Sequence, residues 1–460
     1  MHPAHVTPWV LLASLVGCAR GDSTRATWST SSTVLAGSES RPAWTLRKLG
    51  SDGFDSVASV AALPDGGLVI AGHFEGTIEL GSDRLVSAGE TDAFIARLDA
   101  AGEIEWAERL GGAGFDAATA VLVDRAGNPI LVGDLSGTAV IGERRLRARG
   151  PSDVFAVSFA EGGAIRWVVR LGESDWDTAA AAALTSDGSI AVVGSSGRSD
   201  RHDDRTGAGR SDVLVALLDP TGALRWQRNV AGTGWDQGFA VAAHGDGSIA
   251  VAGSFDGTLE LGTRRLVSAG MSDGFLLFLS PAGRVEEARR IGGKGRDAIT
   301  ALASWQDGQT ALAGHFTGTV SFGATTLVGQ RGSRAFVARL DRSGEPSFAL
   351  DTGPGEAAAL LALPDGALLL AGSYSLALEL VASDPSEVVL HHIAASGQAR
   401  ALLRLTGSLV TARGLALTRR GDAAVVGAFA QRARLGPRAI ESSDGLDGYL
   451  MTAWLAAAVE

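Results

Sequence analysis

The sequence predicts an all-β protein built from one four-stranded antiparallel sheet that recurs along the chain. The first observation is a repeat of about 60 residues, in which a glycine ends a strongly apolar run. The second is that each repeat holds four short apolar segments, separated by turns rich in Gly and Asp. The third is that no stretch shows a competing helical period.

Three markers define the repeat, and they give seven copies. The glycines that end the apolar runs are Gly72, Gly133, Gly194, Gly253, Gly314, Gly372 and Gly427. An aspartate after a Leu-Gly-type loop recurs at Asp55, Asp116, Asp177, Asp236 and Asp297, with Glu356 and Arg413 taken as its counterparts in the last two copies. An aspartate just before an apolar strand recurs at Asp92, Asp153, Asp212, Asp273 and Asp447.

The copy over residues 115–171 shows the elements in order. Its pattern predicts strands at Ala117–Val123, 128–133, Asp153–Phe159 and Ile165–Leu171, with 137–141 as an extension of the second strand or a short added piece. Asp124 and Gly127 occupy tight-turn positions between the first two strands. A four-stranded sheet of this kind cannot bury both faces alone, so the copies must stack on one another.

Seven stacked antiparallel sheets of four strands predict a seven-bladed β-propeller. The first strand of the folded part, Trp44–Leu49, matches the fourth strand of a copy, and the last segment, 449–455, matches a third strand. We therefore expect the N-terminal strand to complete the last blade and close the ring, which would remove exposed sheet edges. The propeller is expected to occupy residues 42–460.

Two short segments are expected to precede the propeller. An apolar run over residues 9–17 is too short to span a bilayer, which takes about 20 helical residues. It is typical of a cleaved signal peptide, here residues 1–17. Residues 18–41 are rich in Ser and Thr and show no periodicity, which predicts a flexible tether.

The segment Leu15-Val16-Gly17-Cys18 resembles the lipobox of bacterial lipoproteins. The resemblance implies acylation of Cys18, cleavage before it, and stable anchoring in a membrane. The segment before it carries His2 and His5 but no Lys or Arg, so a plain secretory signal is the alternative. Ala19 stands where some bacterial lipoproteins carry an inner-membrane retention aspartate, which favours the outer membrane, on its periplasmic side or at the cell surface.

The repeat resembles bacterial β-propeller repeats of the SBBP type. The resemblance rests on Asp124-Arg-Ala-Gly-Asn-Pro-Ile-Leu-Val-Gly133 and on Asp92-Ala-Phe-Ile-Ala-Arg-Leu98. It implies the propeller fold and an extracellular or envelope location, and it implies no particular activity.

Composition excludes several functions. The net charge of −11 argues against a nucleic-acid partner, which would need a basic face. The single cysteine excludes an intramolecular disulfide and a Cys-X-X-Cys zinc site. Motifs for a dinucleotide loop, an EF-hand and a Gly-X-Ser-X-Gly nucleophile elbow all fail on inspection.

In an up-and-down sheet, the loop between strands two and three and the loop from strand four to the next sheet emerge on the same side. Both sets of repeated aspartates lie in these loops, so they are expected on one face of the propeller. One interpretation is a cation-binding or glycan-binding face, because Ca²⁺ prefers several oxygen ligands. The other is that each carboxylate caps its own loop by accepting backbone N–H groups, and we favour it because the residue recurs in almost every copy. We expect no cofactor, with Ca²⁺ as the one ion to test.

Aromatic residues divide into two groups. Trp44, Trp106, Trp167 and Trp226 fall on fourth strands and are expected to pack between blades. Trp176 and Trp235 precede a repeated aspartate in a loop, so they are the candidates for exposed ligand contacts. In the third copy His202, Asp203 and Asp204 lie in a charged loop that either contacts an ion or partner or is simply solvated.

These features together predict an envelope-anchored lipoprotein whose propeller is a non-enzymatic binding or scaffold module for a protein or a polysaccharide. The alternative is a propeller enzyme, a hydrolase or lyase that acts on glycans. A cluster of unrepeated His, Asp, Glu or Arg side chains at one mouth of the central channel would favour the enzyme. The sequence shows repeated aspartates instead, and a fold by itself does not specify a function.

Overall fold

The computed structural model describes residues 44–50, 52–197, 211–330, 332–341, 343–375 and 385–455. Every regular element in these ranges is a β-strand, so the all-β prediction is confirmed. Within the same ranges, no helix is long and apolar enough to cross a membrane. Cys18, the signal, the tether and the charged loop with His202, Asp203 and Asp204 lie outside the described residues.

The strands follow one another closely along the chain. The first eighteen are β1 (Trp44–Leu49), β2 (Asp52–Phe54), β3 (Ser56–Ala62), β4 (Leu68–Phe74), β5 (Thr77–Leu80), β6 (Asp83–Val86), β7 (Asp92–Leu98), β8 (Ile104–Gly112), β9 (Ala117–Val123), β10 (Pro129–Leu135), β11 (Thr138–Ile141), β12 (Arg144–Arg147), β13 (Asp153–Phe159), β14 (Ile165–Leu171), β15 (Trp176–Leu184), β16 (Ile190–Gly197), β17 (Ser211–Leu218) and β18 (Leu224–Val230). The others are β19 (Asp236–Ala243), β20 (Ile249–Phe255), β21 (Thr258–Leu261), β22 (Arg264–Val267), β23 (Asp273–Leu279), β24 (Val285–Ile291), β25 (Asp297–Ser304), β26 (Thr310–Phe316), β27 (Thr319–Phe322), β28 (Thr325–Val328), β29 (Arg334–Leu340), β30 (Pro346–Ala362), β31 (Leu368–Ser375), β32 (Pro385–Ile393), β33 (Ala399–Leu417), β34 (Asp422–Leu435) and β35 (Arg438–Trp454).

Most strands form four-stranded antiparallel sheets in chain order. One sheet has the order β14-β13-β10-β9, another β15-β16-β17-β18, and a third β19-β20-β23-β24. The central strands are almost fully buried because neighbouring sheets cover both of their faces. The four strands predicted for residues 115–171 agree with these bounds to within two residues.

Two long strands each belong to two sheets. The first half of β30 pairs with β29, where Leu340 lies opposite Pro346, and its second half pairs with β31. In the same way β33 first pairs with β32 and then with β34. In each case the fourth strand of one sheet continues without a loop into the first strand of the next.

A small hairpin, which the sequence analysis did not resolve, follows the second strand of several sheets. Residues 138–141 do not extend β10. They form β11, which pairs with β12 across a two-residue turn that begins at Gly142, with φ +59°. Ala139 of this hairpin lies opposite Gly112 at the end of β8, in the preceding sheet. The hairpin therefore fastens neighbouring sheets together at their outer strands.

The hydrophobic core lies between the sheets. Ile95 of one sheet packs in a single cluster with Leu131 and Phe155 of the next, and all three are buried. Full burial of one such side chain contributes about 1.5–3 kcal/mol relative to leaving it exposed. Face-to-face stacking of four-stranded antiparallel sheets is the arrangement of a β-propeller.

The fourth-strand tryptophans lie between sheets, as expected. Trp106 packs on Gly163 and donates its Nε1–H to the carbonyl oxygen of Glu161, at 2.9 Å, in the following sheet. Trp167 and Trp226 make the corresponding hydrogen bonds one and two sheets further on. Trp44 differs, because its ring lies under the Arg438 guanidinium, 5.3 Å from the ring centroid.

Candidate functional site

The two sets of repeated aspartates converge in pairs on one face. Thr91 and Phe115, which precede Asp92 and Asp116, form a parallel bridge between the two loops. A Cβ added to Gly111 would lie 2.2 Å from Asp92 Oδ1 and 2.8 Å from Asp116 Oδ2. The equivalent loop bridges and strand pairings bring together the pairs Asp55 with Asp447, Asp153 with Asp177, Asp212 with Asp236, and Asp273 with Asp297.

Backbone N–H groups and cationic side chains surround these carboxylates. Asp116 accepts hydrogen bonds from the N–H groups of Gly112, at 2.7 Å, and Ser136, at 3.1 Å. Asp92 accepts a hydrogen bond from the Ala88 N–H, at 2.7 Å, and forms an ion pair with Arg109, at 2.8 Å. This is the geometry of a loop cap that also ties its loop to the fourth strand.

The same pattern recurs with different cations. Arg170 pairs with Asp153, Arg290 with Asp273, and Lys48 with Asp447. In another sheet the same pair has its acidic and basic residues exchanged, with Arg334 on the third strand and Asp351 on the fourth. In the described part of the chain, no group of three or more His, Cys, Asp and Glu side chains could hold a metal ion.

Burial makes three of the capping aspartates weak acids. It raises the pKa of Asp116 and of Asp297 to about 7 in each case, against the opposing effect of backbone hydrogen bonds. Burial, together with the charges of Asp256 and Asp212, raises the pKa of Asp236 to about 8. Asn229 occupies in that sheet the strand position at which Arg109 pairs with Asp92, so this position holds a neutral side chain in the copy with Asp212 and Asp236.

Exposed aromatic side chains lie on the face that carries the aspartate pairs. Trp176 and Trp235 are 42% and 49% exposed, and each directly precedes a capping aspartate. Phe54, which is 56% exposed, and the partly buried Phe115 occupy the same position in the two preceding sheets. We call these four residues the aromatic face. Arg296 takes the position in the next sheet.

A second group of polar side chains lies on the first strands of the sheets and on the strands beside them. His73 lies opposite Ser56, and His315 lies opposite Ala298 at the equivalent position. Glu356 and Arg413 belong to the first strands of the following two sheets. We call His73, His315, Glu356 and Arg413 the inner-strand cluster. None of the four occurs in every copy.

Strand register corrects the assignment of two of these residues. Gly355 lies opposite Tyr374, as Asp297 lies opposite Phe316, so Gly355 and not Glu356 replaces the capping aspartate in the sixth copy. In the seventh copy the register shift falls between Ala412 and Gly414. Arg413 is therefore the extra residue of a β-bulge and not a counterpart of the aspartate.

The members of the inner-strand cluster are close enough to interact. His315 Nδ1 lies 3.9 Å from Glu356 Oε1. Burial, followed by the positive charge of Arg413, lowers the pKa of His73 to about 4, so this imidazole is neutral at pH 7. The ring of His73 also contacts Phe115, with centroids 6.3 Å apart, so the cluster adjoins the aromatic face.

Sequence reasoning treated Glu356 and Arg413 as counterparts of the repeated aspartate, and it gave no reason to join them with His73 and His315. The signal that could have found the cluster is the substitution of a charged residue on a first strand where most copies carry small residues.

Neither a protein-family model nor a curated protein matches the sequence. Among solved structures, the chain is similar to "Structure of U3-55K", with a TM-score of 0.49 and 12% identity over 89% of this chain and 98% of that one. It is also similar to "Structure of Dos1 propeller", with a TM-score of 0.44 and 10% identity over 89% and 96% of the two chains. A third is Sqt1 from Chaetomium thermophilum, with a TM-score of 0.42 and 12% identity over 88% and 97%.

Proposed function

We propose that the stacked sheets form a seven-bladed β-propeller closed by the N-terminal strand. Three contacts support closure. β1 pairs antiparallel with β35, where Leu46 lies opposite Met451. The first strands touch in the order β3, β9, β15, β19, β25, β30 and β33, and β33 touches β3. Val57 of the first complete sheet shares a buried cluster with Val426 and Leu450 of the last.

In such a ring the first strands enclose a central channel. The inner-strand cluster would then lie in the channel wall, and the aromatic face would line one side of the channel mouth. Both sites are therefore accessible to a ligand that approaches from this one side.

We propose further that the chain is a lipoprotein of the cell envelope. The proposal rests on the lipobox-like segment that ends at Cys18, on the signal expected over residues 1–17 and on the tether expected over residues 18–41. Acylation of Cys18 would anchor the propeller to a membrane, with the outer membrane favoured because Ala19 follows it. Radiolabelled palmitate should be incorporated by cells that express the protein and lost in Cys18→Ser.

The propeller itself is proposed to be a non-enzymatic module that binds a polysaccharide. The observation that carries this proposal is the aromatic face, which presents one aromatic side chain at equivalent positions in each of four consecutive sheets. Single exposed hydrophobic residues are ordinary, but a regular series of them is suited to a ligand that itself repeats. A protein partner would call for a contiguous apolar interface core of several hundred Å².

The double variant Trp176→Ala/Trp235→Ala tests the aromatic face. Each exposed ring is expected to contribute about 1 kcal/mol by stacking, so the double variant should bind tenfold or more weakly. Affinity electrophoresis against a panel of bacterial polysaccharides, neutral and acidic, measures the loss.

Trp454→Ala is the matched control, because Trp454 is 41% exposed but is the last residue of β35, the third strand of the last sheet, and not a loop residue before an aspartate. All three proteins should unfold at the same temperature. Unchanged polysaccharide binding by the double variant would contradict the proposal.

The inner-strand cluster favours a second candidate function, an enzyme that cleaves glycans. A carboxylate beside an imidazole, Glu356 with His315, is a pairing used in general acid–base catalysis. The two functions differ in one observable result. Binding without the appearance of new reducing ends supports the module, and new reducing ends that disappear in Glu356→Gln support the enzyme.

A further inference from the structure

Arg413 is an unusual residue at its position in the repeat. The other copies carry small or uncharged residues at the same β-bulge, namely Ala58, Thr119, Ala180, Phe239, Thr300 and Ala358. The stacking of the sheets does not require a cation at this bulge, since the other six copies have none there. The guanidinium is therefore a local addition to the repeat.

The environment of Arg413 combines access to water with enclosure by protein. Its side chain is exposed to solvent, yet enough protein surrounds it for burial to lower the pKa of the guanidinium. Both statements hold for a side chain that projects into a narrow water-filled space. The accessible surface allows a ligand to reach the guanidinium, and the protein around it limits the number of waters that can solvate its charge.

Arg413 has no hydrogen-bond or ion-pair partner among the described residues, in contrast to Arg109 and Arg170. Glu356 and Tyr449 influence it only electrostatically. An enclosed cation without a partner is costly, and a bound anion would offset that cost. The planar guanidinium fits a carboxylate through two parallel N–H···O bonds.

The residues around Arg413 limit which class of anion can bind to its guanidinium. Glu356 already contributes one negative charge, which disfavours a doubly charged anion such as phosphate. Neutral His73, Glu356 and the buried, unpartnered Nδ1 of His315 can hydrogen-bond hydroxyl groups. Phe115 beside His73 offers an apolar surface to the face of a sugar ring.

We propose that the inner-strand cluster binds a uronic-acid residue of an acidic glycan, with Arg413 holding its carboxylate and His73, His315 and Glu356 its hydroxyl groups. The proposal deepens the proposed polysaccharide binding and rests on it for the glycan class. A carboxylate on a ring with several hydroxyls uses every member of the cluster, and the apolar face of the ring also suits Phe115.

Isothermal titration with three probes tests the proposal on the whole protein: oligosaccharides of galacturonate and glucuronate, neutral oligosaccharides of glucose, and inorganic phosphate. The uronate oligosaccharides should bind most tightly. Arg413→Met should weaken their binding about 30-fold or more, because truncating one partner of a charge pair that ligand binding buries typically costs at least that much. Arg413→Lys keeps the charge without the planar fork and should weaken binding less.

Arg145→Met, in the exposed outer hairpin strand β12, removes the same charge and should leave uronate binding unchanged. Uronate binding that is equal in wild type and Arg413→Met, with unfolding temperatures also equal, would overturn the proposal. If Trp176→Ala/Trp235→Ala still weakens neutral glycan binding in that case, the proposed function stands. Phosphate that binds as tightly as uronate would overturn the assignment, and failure of every glycan to bind would overturn both proposals.

Discussion

Gly253→Ala is expected to lower the unfolding free energy by about 3 kcal/mol or more, the upper range for forced overpacking. A Cβ on Gly253 would lie 1.8 Å from the carbonyl oxygen of Gln237, which belongs to the backbone of the adjacent strand. Gly253 lies opposite Gly238, the residue directly before the register shift in β19. Chemical denaturation followed by tryptophan fluorescence measures the loss.

Gly372→Ala is the matched control at the equivalent position of the sixth copy. The nearest atoms to its added Cβ belong to the side chain of Tyr374, at 2.8 Å, which can shift more easily than backbone. The alanine should therefore cost less there than at Gly253. Equal losses at the two sites, or no loss at Gly253, would contradict this account of the repeated glycine.

Asp153→Ala should destabilise the protein by about 3–5 kcal/mol, the usual cost of breaking a buried ion pair from one side. Asp153 is fully buried, pairs with Arg170 and accepts hydrogen bonds from the backbone N–H groups of Arg149 and Gly150. Removing the carboxylate leaves a poorly solvated cation and unsatisfied donors. Thermal unfolding, with Asp175→Ala as a partly exposed acidic control nearby, measures the effect.

The same measurement with Ca²⁺ and with EDTA separates loop capping from cation binding. Because these carboxylates, with the exception of Asp236, already have Arg, Lys or N–H partners, wild type should unfold at one temperature in both solutions. A Ca²⁺-dependent rise that Asp153→Ala abolishes would show that the repeated aspartates are ligands, since a ligand of the folded state alone stabilises it.

Much of the strand structure was predictable from local sequence. The strands of β9, β13 and β14 were predicted with their observed ends, because apolar alternation and Gly-containing turns act within a few residues. The outer hairpins were not resolved, because a four-residue strand holds too few residues to show a period. Their signal was the glycine that starts each two-residue turn, at Gly81, Gly142, Gly262, Gly323 and Gly436, all with positive φ.

The candidate site was predictable only where it repeats. The up-and-down order of the strands predicted both aspartate sets on one face, where the structure brings Asp92 beside Asp116. The inner-strand cluster depends instead on which copies lie next to each other and on the register of degraded strands. A misjudged register of one residue assigned Glu356 to the wrong position, and local sequence carries no information that would have corrected it.

Closure of the ring by the N-terminal strand is the central structural claim, and moving that strand tests it directly. Trp44 lies opposite Ala453, so residues 42–50 can be joined after residue 456 through a short turn in a chain that begins at residue 52. The rearranged chain should unfold at nearly the temperature of a chain of residues 40–460, whereas deletion of residues 42–50 should lower it sharply by exposing a sheet edge. Equal unfolding temperatures for the deleted and complete chains would contradict closure.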